Sequence, residues 1–304
     1  MSERLTVLCW HNVNGTWSFP ARPGAGIAGL AQQLRALRRF ATVVPLESAL
    51  EKLFRGQSLP PRAVALTFDD GYRDNLTLAL PMLEALGLPA TFFLVPGLLS
   101  DGVAPWWETV SRAITSAATS HFMWGNELLP LASVAQRRRA RRRVEHDVKE
   151  LSHAERVAAV EQLRDELRPT GPAISGGELF MDWDSAKQLV ERGFTVGSHT
   201  CRHAILSRES ASAQVADLAA SRRVLQDKLS VSADVLAYPN GRKVDYNDHT
   251  LAAARAAGHR WALTTNEGVN RPDTPPLEIR RVVIYPERSV LDLLAALRHL
   301  PLDR

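Results

Sequence analysis

The stretch LTFDDGYRDN, residues 66–75, carries an apolar, β-favouring run (Leu66, Thr67, Phe68) into two adjacent carboxylates, Asp69 and Asp70, followed at once by Gly71. Two like charges at the end of a segment bound for the interior repel one another and resist desolvation. Such a pair is tolerable where something positive sits between or beside the two groups. Outward from this stretch, short apolar runs of the same kind recur at 5–10, 64–68, 90–95, 194–198, 235–238, 261–265 and 279–284, with 41–45 as an eighth candidate. Segments of helical period lie between them, at 27–39, 76–86, 107–118, 183–192, 211–229, 247–257 and 290–300. Several of these end on a glycine, as in EALGLP, VERGFT and RAAGHR, the usual way to stop a helix. Strand and helix alternating in this manner predict an α/β protein with a parallel sheet, either open or closed into a barrel.

Residues 100–180 break the alternation. They hold two or three helices rich in Ala, Arg and Glu and a loop, RPTGPAISGG, punctuated by Pro and Gly. The strand pattern resumes in MDWDSAKQLVERGFTVGSHT, so this region reads as a helical insertion within one α/β domain over 1–304.

The 304 residues, 45% hydrophobic and 23% charged, have the balance of an ordinary globular protein. No run of about 18 apolar residues is present, which excludes a membrane-spanning helix. The opening MSERLTVLCWHNVNG suits a strand better than a secretion signal, and the expected location is cytoplasmic. Two cysteines, Cys9 and Cys201, make no disulfide framework. Six arginines crowd into QRRRARRRVEH, and without them the formal charge of +4 would be −2. The run lacks interleaved aromatics and continues into a helical pattern, so it is expected to be a solvated helix face with neither a nucleic-acid partner nor a catalytic role.

In a parallel α/β protein the carboxyl ends of the strands collect on one face, where sites are built. Three polar clusters fall at such ends: Asp69-Asp70, then GSHTCRH with His199 and His203, then YPNGR from Tyr238 to Arg242. An isolated Asp-Asp-Gly is a turn signal, and an isolated His-x-x-x-His is commonplace on helices. Their joint placement at strand ends is more specific. Four-residue spacing puts two imidazoles on one side of a helical turn, and two histidines with one carboxylate leave positions open for water and substrate, as in catalytic metal sites. One aspartate would then ligate the cation while the other serves as a base.

These motifs, TFDDGY, GSHTCRH and AYPNG, together with the run MDWDSAKQLVERGFTVGSHTCRHAIL, resemble the polysaccharide deacetylases, carbohydrate esterase family 4 or the NodB-homology domain. The resemblance covers most of 4–95 and 180–300. It implies a distorted (β/α) barrel of about seven parallel strands that removes acetyl groups from sugars with one divalent metal, zinc. It assigns Asp69 as the base, Asp70, His199 and His203 as metal ligands, and the backbone N–H near Asn240 as the oxyanion donor. Tyr238 and Pro239 would line the acetyl pocket. The sequence departs from the usual pattern in two ways. The arginine that opens the third motif is replaced by Ala237, and Arg281, of the pair Arg280-Arg281, is expected to brace the base instead. The usual C-terminal histidine has only His299 as a candidate, in an apolar helical context. CWHNV resembles the opening of permuted branches, which makes His11 the expected general acid. Of the tryptophans, Trp107 in APWWETV is the candidate sugar platform, and the histidines at 121, 146, 153, 249 and 259 are expected at the surface. The expected substrate is an N-acetylated glycan or amino sugar. A non-sugar amide, or a silent glycan-binding relative, stands as the alternative.

Overall fold

The computed structural model describes residues 3–20, 26–100, 102–171, 175–285, 289–291 and 293–294. Its sheet follows from strands that are apolar on both faces. The stretches TVLCW, AVALTF and TFFL are buried at every position, which suits parallel strands covered on both sides. The strands are β1 (Thr6–Trp10), β2 (Thr42–Val43), β3 (Ala63–Phe68), β4 (Thr91–Leu94), β5 (His121–Trp124), β6 (Glu127–Pro130), β7 (Thr195–Ser198), β8 (Val235–Ala237), β9 (Trp261–Leu263) and β10 (Val282–Val283). Seven run in the order β10-β1-β3-β4-β7-β8-β9, and β2 pairs with the start of β3. Every pair in this sheet is parallel. The sheet curls until Ile279, just upstream of β10, bridges to Leu263 of β9, so one short segment joins the two edges. The result is a distorted (β/α) barrel.

Register carries the reactive ends to one place. Trp10 pairs with Phe68, Leu94 with Ser198, Ser198 with Leu236, and Ala237 with Leu263. The residues that follow, His11, Asp69, His199, Tyr238 and Thr264, therefore leave the sheet at the same level.

The helices match the sequence pattern closely in some places and not in others. Ala211–Leu229 lies where its period predicts, with Ser210 capping it through the Ala213 N–H. Residues 76–86 begin instead as a π-turn, Asn75–Ala79, before Leu80–Leu86. A helix over Leu46–Phe54, absent from the sequence reading, packs Leu46, Ala49, Leu50 and Leu53 inward. The helix expected over 290–300 falls mostly outside the described residues, and His299 with it. The insertion is not purely helical. Helices Trp106–Thr115, Val134–Lys149 and His153–Leu167 enclose the antiparallel β5–β6 hairpin around an apolar cluster that includes Ile114, Phe122, Leu129, Val144 and Leu163. No helix among the described residues is long and apolar enough to cross a membrane.

Gly71 shows how tightly the chain turns after β3. Its φ is +75°, and a Cβ there would stand 3.0 Å from Leu94 Cδ2. Gly71→Ala is expected to destabilise the fold by about 1–3 kcal/mol, through left-handed strain plus that contact. Chemical denaturation of the two proteins measures it.

Candidate active site

The chain leaves β3 through two successive left-handed residues, Asp70 at φ +71° and Gly71. This turn hands the two carboxylates to different partners. Asp69 faces Arg281, whose two terminal nitrogens donate to its two oxygens at 2.8 Å each. Asp70 faces the histidines: its Oδ1 lies 3.3 Å from Nε2 of both His199 and His203. The positive partner demanded by two adjacent carboxylates is thus in part an arginine from the far end of the chain.

Arg281 is wholly buried, and every nitrogen is used. Nε donates to the Thr264 carbonyl at 3.0 Å, Nη1 also reaches Thr67 Oγ1 at 3.3 Å, and the guanidinium lies 5.7 Å from the Phe93 ring centre. Burial alone would push the Asp69 carboxyl up, but Arg281 and His199 outweigh it and hold the group below its ordinary range. Burial likewise opposes ionisation of Asp70, and the two adjacent imidazoles hold it well below that range. Both carboxylates are charged at neutral pH.

His199 and His203 do not sit on a helical turn. The loop after β7 brings them together through left-handed residues, Thr200 at φ +64° and His203 at φ +53°. A β-branched residue there is strained, and such strain persists where the surroundings enforce it. His199 Nδ1–H donates to the Ala237 carbonyl at 2.7 Å, so Nε2 is the nitrogen that faces Asp70. His203 packs its ring 4.6 Å from that of Trp107.

These residues fit a divalent cation. Their three donor atoms lie within 4.8 Å of one another, and the buried Asp70 Oδ1 has no hydrogen-bond partner among the described residues. Two imidazole nitrogens and an orphaned carboxylate oxygen converging on one point are the arrangement a metal answers. Asp69 stands beside the set, with Oδ2 4.0 Å from His199 Nε2.

His11 follows β1, half-buried, its ring nitrogen within 4.8 Å of an Asp69 oxygen and of Cys9 Sγ. Burial pushes the Cys9 thiol well up, so it remains neutral packing beneath Asp69. The loop that carries His11 is pinned by the second half of the opening stretch. Asp74 Oδ2 accepts from the Val13 and Asn14 N–H groups at 2.8 and 2.7 Å, and Asn75 Nδ2 donates to the His11 carbonyl at 2.7 Å. Farther along, Thr16 and Ser18 bind the Glu108 carboxylate. Asp74 and Asn75 escaped notice because TFDDGYRDN draws attention to its first two carboxylates only.

All of this opens into one cavity of about 1270 Å³. Asn240 lines it at φ +57°, and no described residue accepts a hydrogen bond from its N–H. Gly241 must follow as glycine: at φ +71°, a Cβ would meet the Thr265 nitrogen at 2.9 Å. Tyr238 touches the cavity, but its ring stacks on Tyr246 in the core and its hydroxyl donates to the Leu277 carbonyl. Pro239 is buried and does not line the cavity. Trp107 is only 8% exposed, with its indole N–H on the Tyr72 hydroxyl. It lines the cavity with little of its surface, packed against His203. Trp106, next to it, lines the cavity half-exposed with a buried and unpaired indole N–H. Two surface expectations need correction. His259 is buried and stays neutral, burial having pushed its pKa down to about 4. The arginine run is no purely solvated face, since Arg137, Arg138, Arg141 and Arg142 line this cavity.

The sequence model of the polysaccharide deacetylases matches residues 56–262. This chain belongs to the polysaccharide deacetylase family. It is 22% identical over 250 residues to YxkH of Bacillus subtilis, a protein whose name places it in the same family, covering 82% of this chain and 61% of that one. It is 28% identical over 123 residues to the poly-β-1,6-N-acetyl-D-glucosamine N-deacetylase of Escherichia coli K12, covering 40% of this chain and 16% of that one. The chain thus spans less than two thirds of either relative. Among solved structures it shares its fold with the Streptococcus pyogenes deacetylase PplD in complex with acetate (TM-score 0.65, 19% identity, 97% and 98% of the two chains). It shares it also with IcaB from Ammonifex degensii (TM-score 0.61, 21% identity, 98% of each).

Three outcomes follow from the contacts. Arg281→Met leaves Asp69 buried without its partner and is expected to cost about 3–5 kcal/mol in a denaturation experiment. Asp74→Ala frees two amides, releases the His11 loop and is expected to lower turnover about tenfold or more with a smaller change in stability. Burial raises the Asp74 pKa to about 6. A carboxyl whose folded pKa lies above its unfolded value of about 3.9 binds its proton better in the native state, so stability falls as pH rises from about 4 to 6. Asp74→Asn, which keeps an acceptor oxygen, should flatten that decline in thermal melts across this range.

Proposed function

We propose that the protein is a zinc-dependent N-deacetylase acting on N-acetylated amino sugars in an oligo- or polysaccharide or glycoconjugate. The observation that carries this reading is the buried Asp69, ionised by Arg281 and left outside a convergent Asp70, His199, His203 set. Two nitrogens and one oxygen suit zinc among the common divalent ions. When bound, the cation supplies a Lewis acid that polarises an acetamide carbonyl and acidifies a water from a pKa of about 15.7 to about 7.

The chain's own groups do the rest. Asp69 takes the proton of the attacking water; Arg281 keeps it ionised and fixes its orientation. The Asn240 N–H donates to the oxygen on which charge develops, where one such donor is worth roughly 2.7–4 kcal/mol. His11 gives a proton to the departing amine, and Asp74 with Asn75 hold it in place. The cavity of about 1270 Å³ exceeds what a small cyclic amide needs and accommodates several sugar units. The substrate named for the Escherichia coli relative supports an N-acetylglucosamine polymer. A silent binding protein is disfavoured because the base, its brace and all three candidate ligands are present and mutually oriented.

The test is acetate release from N-acetylglucosamine oligomers after chelation and zinc restoration. Activity should vanish on chelation and return with zinc, and Asp69→Asn and His199→Ala should fall to background. His11→Ala should lose about 10²–10⁴-fold in kcat. An Asp69→Asn protein as fast as the wild type would sink the mechanism.

A further inference from the structure

The arginine run has no part in the chemistry above, yet it faces the space where that chemistry would occur. On the helix Val134–Lys149, residues 137, 138, 141, 142, 145 and 149 recur at helical spacing on one face, and all six line the cavity that also contains Asp69, His11 and His203. Another face, with Ala140, Val144 and Val148, is buried in the insertion's core. The helix therefore presents its cations to the cavity because its apolar stripe is committed elsewhere.

Not all of these cations are available. Arg141 stands 3.5 Å from Glu145 and donates to the Ser18 carbonyl. Arg137 spends its donors on the carbonyls of Ile114, Thr115 and Ala117, which anchor it but leave its charge uncompensated. Arg138 and Arg142 are exposed. Lys149 lies 5.8 Å from the ring centre of Trp106. No carboxylate among the described residues pairs with Arg137, Arg138, Arg142 or Lys149. The acidic groups on the cavity are Asp69, Asp70 and Glu145, committed to Arg281, to the two histidines and to Arg141. One wall thus carries four positive charges without an ion-pair partner of their own among the described residues, with Glu145 and Asp245 acting on Lys149 only at a distance. Like charges four apart, such as Arg138 and Arg142, also destabilise the helix that bears them. An anion in the cavity relieves both.

We infer that the glycan this site accepts is anionic, carrying phosphate or uronate carboxylate groups that Arg138, Arg142 and Lys149 hold while the acetamide lies at Asp69. The inference rests on the deacetylase reading and adds the charge of its substrate. Both anions present paired oxygens that a guanidinium grips with two parallel N–H donors. A bilayer is the poorer fit, because these cations line a concave space that shares walls with the reacting groups, and no lipid surface enters it.

The experiment compares three oligomers with equal numbers of N-acetylglucosamine units on the zinc-loaded protein: one uncharged, one alternating with glucuronate, one phosphorylated at O6. Each exposed charge contact contributes a factor of about two to five. The wild type should therefore favour one charged oligomer about tenfold in kcat/KM at about 0.05 M salt, the favoured arm identifying the anion. That ratio should shrink towards one at about 1 M salt, where the screening length falls to roughly 3 Å. The double substitution Arg138→Gln, Arg142→Gln should bring the ratio near one, the corresponding lysine pair should keep most of it, and Arg139→Gln, off this face, should leave it in place. Equal rates on charged and uncharged oligomers, or a ratio that survives the double glutamine, would overturn the inference. Calorimetry on the Asp69→Asn protein separates the two levels of failure. Arg138- and Arg142-dependent, salt-sensitive binding of a charged oligomer supports the anion site even if no oligomer yields acetate, an outcome that would remove the deacetylase reading. Tighter binding to phosphatidylglycerol vesicles or to a deoxythymidine oligomer than to either charged glycan would overturn the glycan assignment.

Discussion

The bidentate contact between Asp69 and Arg281 is the constraint on which the site depends. A carboxylate with almost no solvent contact cannot stay ionised unless a fixed cation compensates it, and a buried guanidinium is equally untenable alone. Each therefore makes the other possible. The pair also joins distant parts of the chain, residue 69 at the end of β3 and residue 281 before β10, across the segment that brings the sheet edges together. The contact that keeps Asp69 ionised thus lies where the sheet edges meet.

Around that pair the backbone is held away from its preferred conformations. Asp70, Thr200, His203 and Asn240 are all left-handed without being glycine. They fall on loops after three different strands, yet all face one point. Strain of about 1–3 kcal/mol at each such position is sustained only by a surrounding framework that leaves no alternative. Here the framework is visible: β4 holds the His199 N–H through the Leu94 carbonyl, the Ala237 carbonyl holds its Nδ1, and Trp107 backs His203.

Much of this was legible from residue order. Carboxylates and imidazoles at the ends of apolar runs could be placed on one face because parallel strands share a direction, and burial on both faces made the runs conspicuous. Arg281 was harder, since its pairing depends on an edge segment only two residues long. The helix Leu46–Phe54 carried the right spacing of apolar residues but follows β2, too short to announce a boundary. The β5–β6 hairpin leaves Met123 and Leu128 exposed, so its alternation gave no clear inner face. Trp106 and Trp107 could not be told apart by sequence, because adjacent helical residues point about 100° apart and only the packing of His203 decides which is covered. The same holds for the arginine run, whose orientation is set by Ala140, Val144 and Val148 and not by the arginines themselves.

The insertion stands apart from the barrel in what it contributes. His11, Asp69, Asp70 and His199 follow directly on strand ends, whereas one wall of the cavity belongs to Val134–Lys149. Near the site the two are fastened by Trp107 against His203 and on the Tyr72 hydroxyl, by Glu108 holding Thr16 and Ser18, and by Arg141 on the Ser18 carbonyl. Selectivity and reactivity are consequently written on separable pieces of one chain. Exchanging the wall while preserving those fastenings would change what the cavity accepts and leave the strand-end cluster untouched.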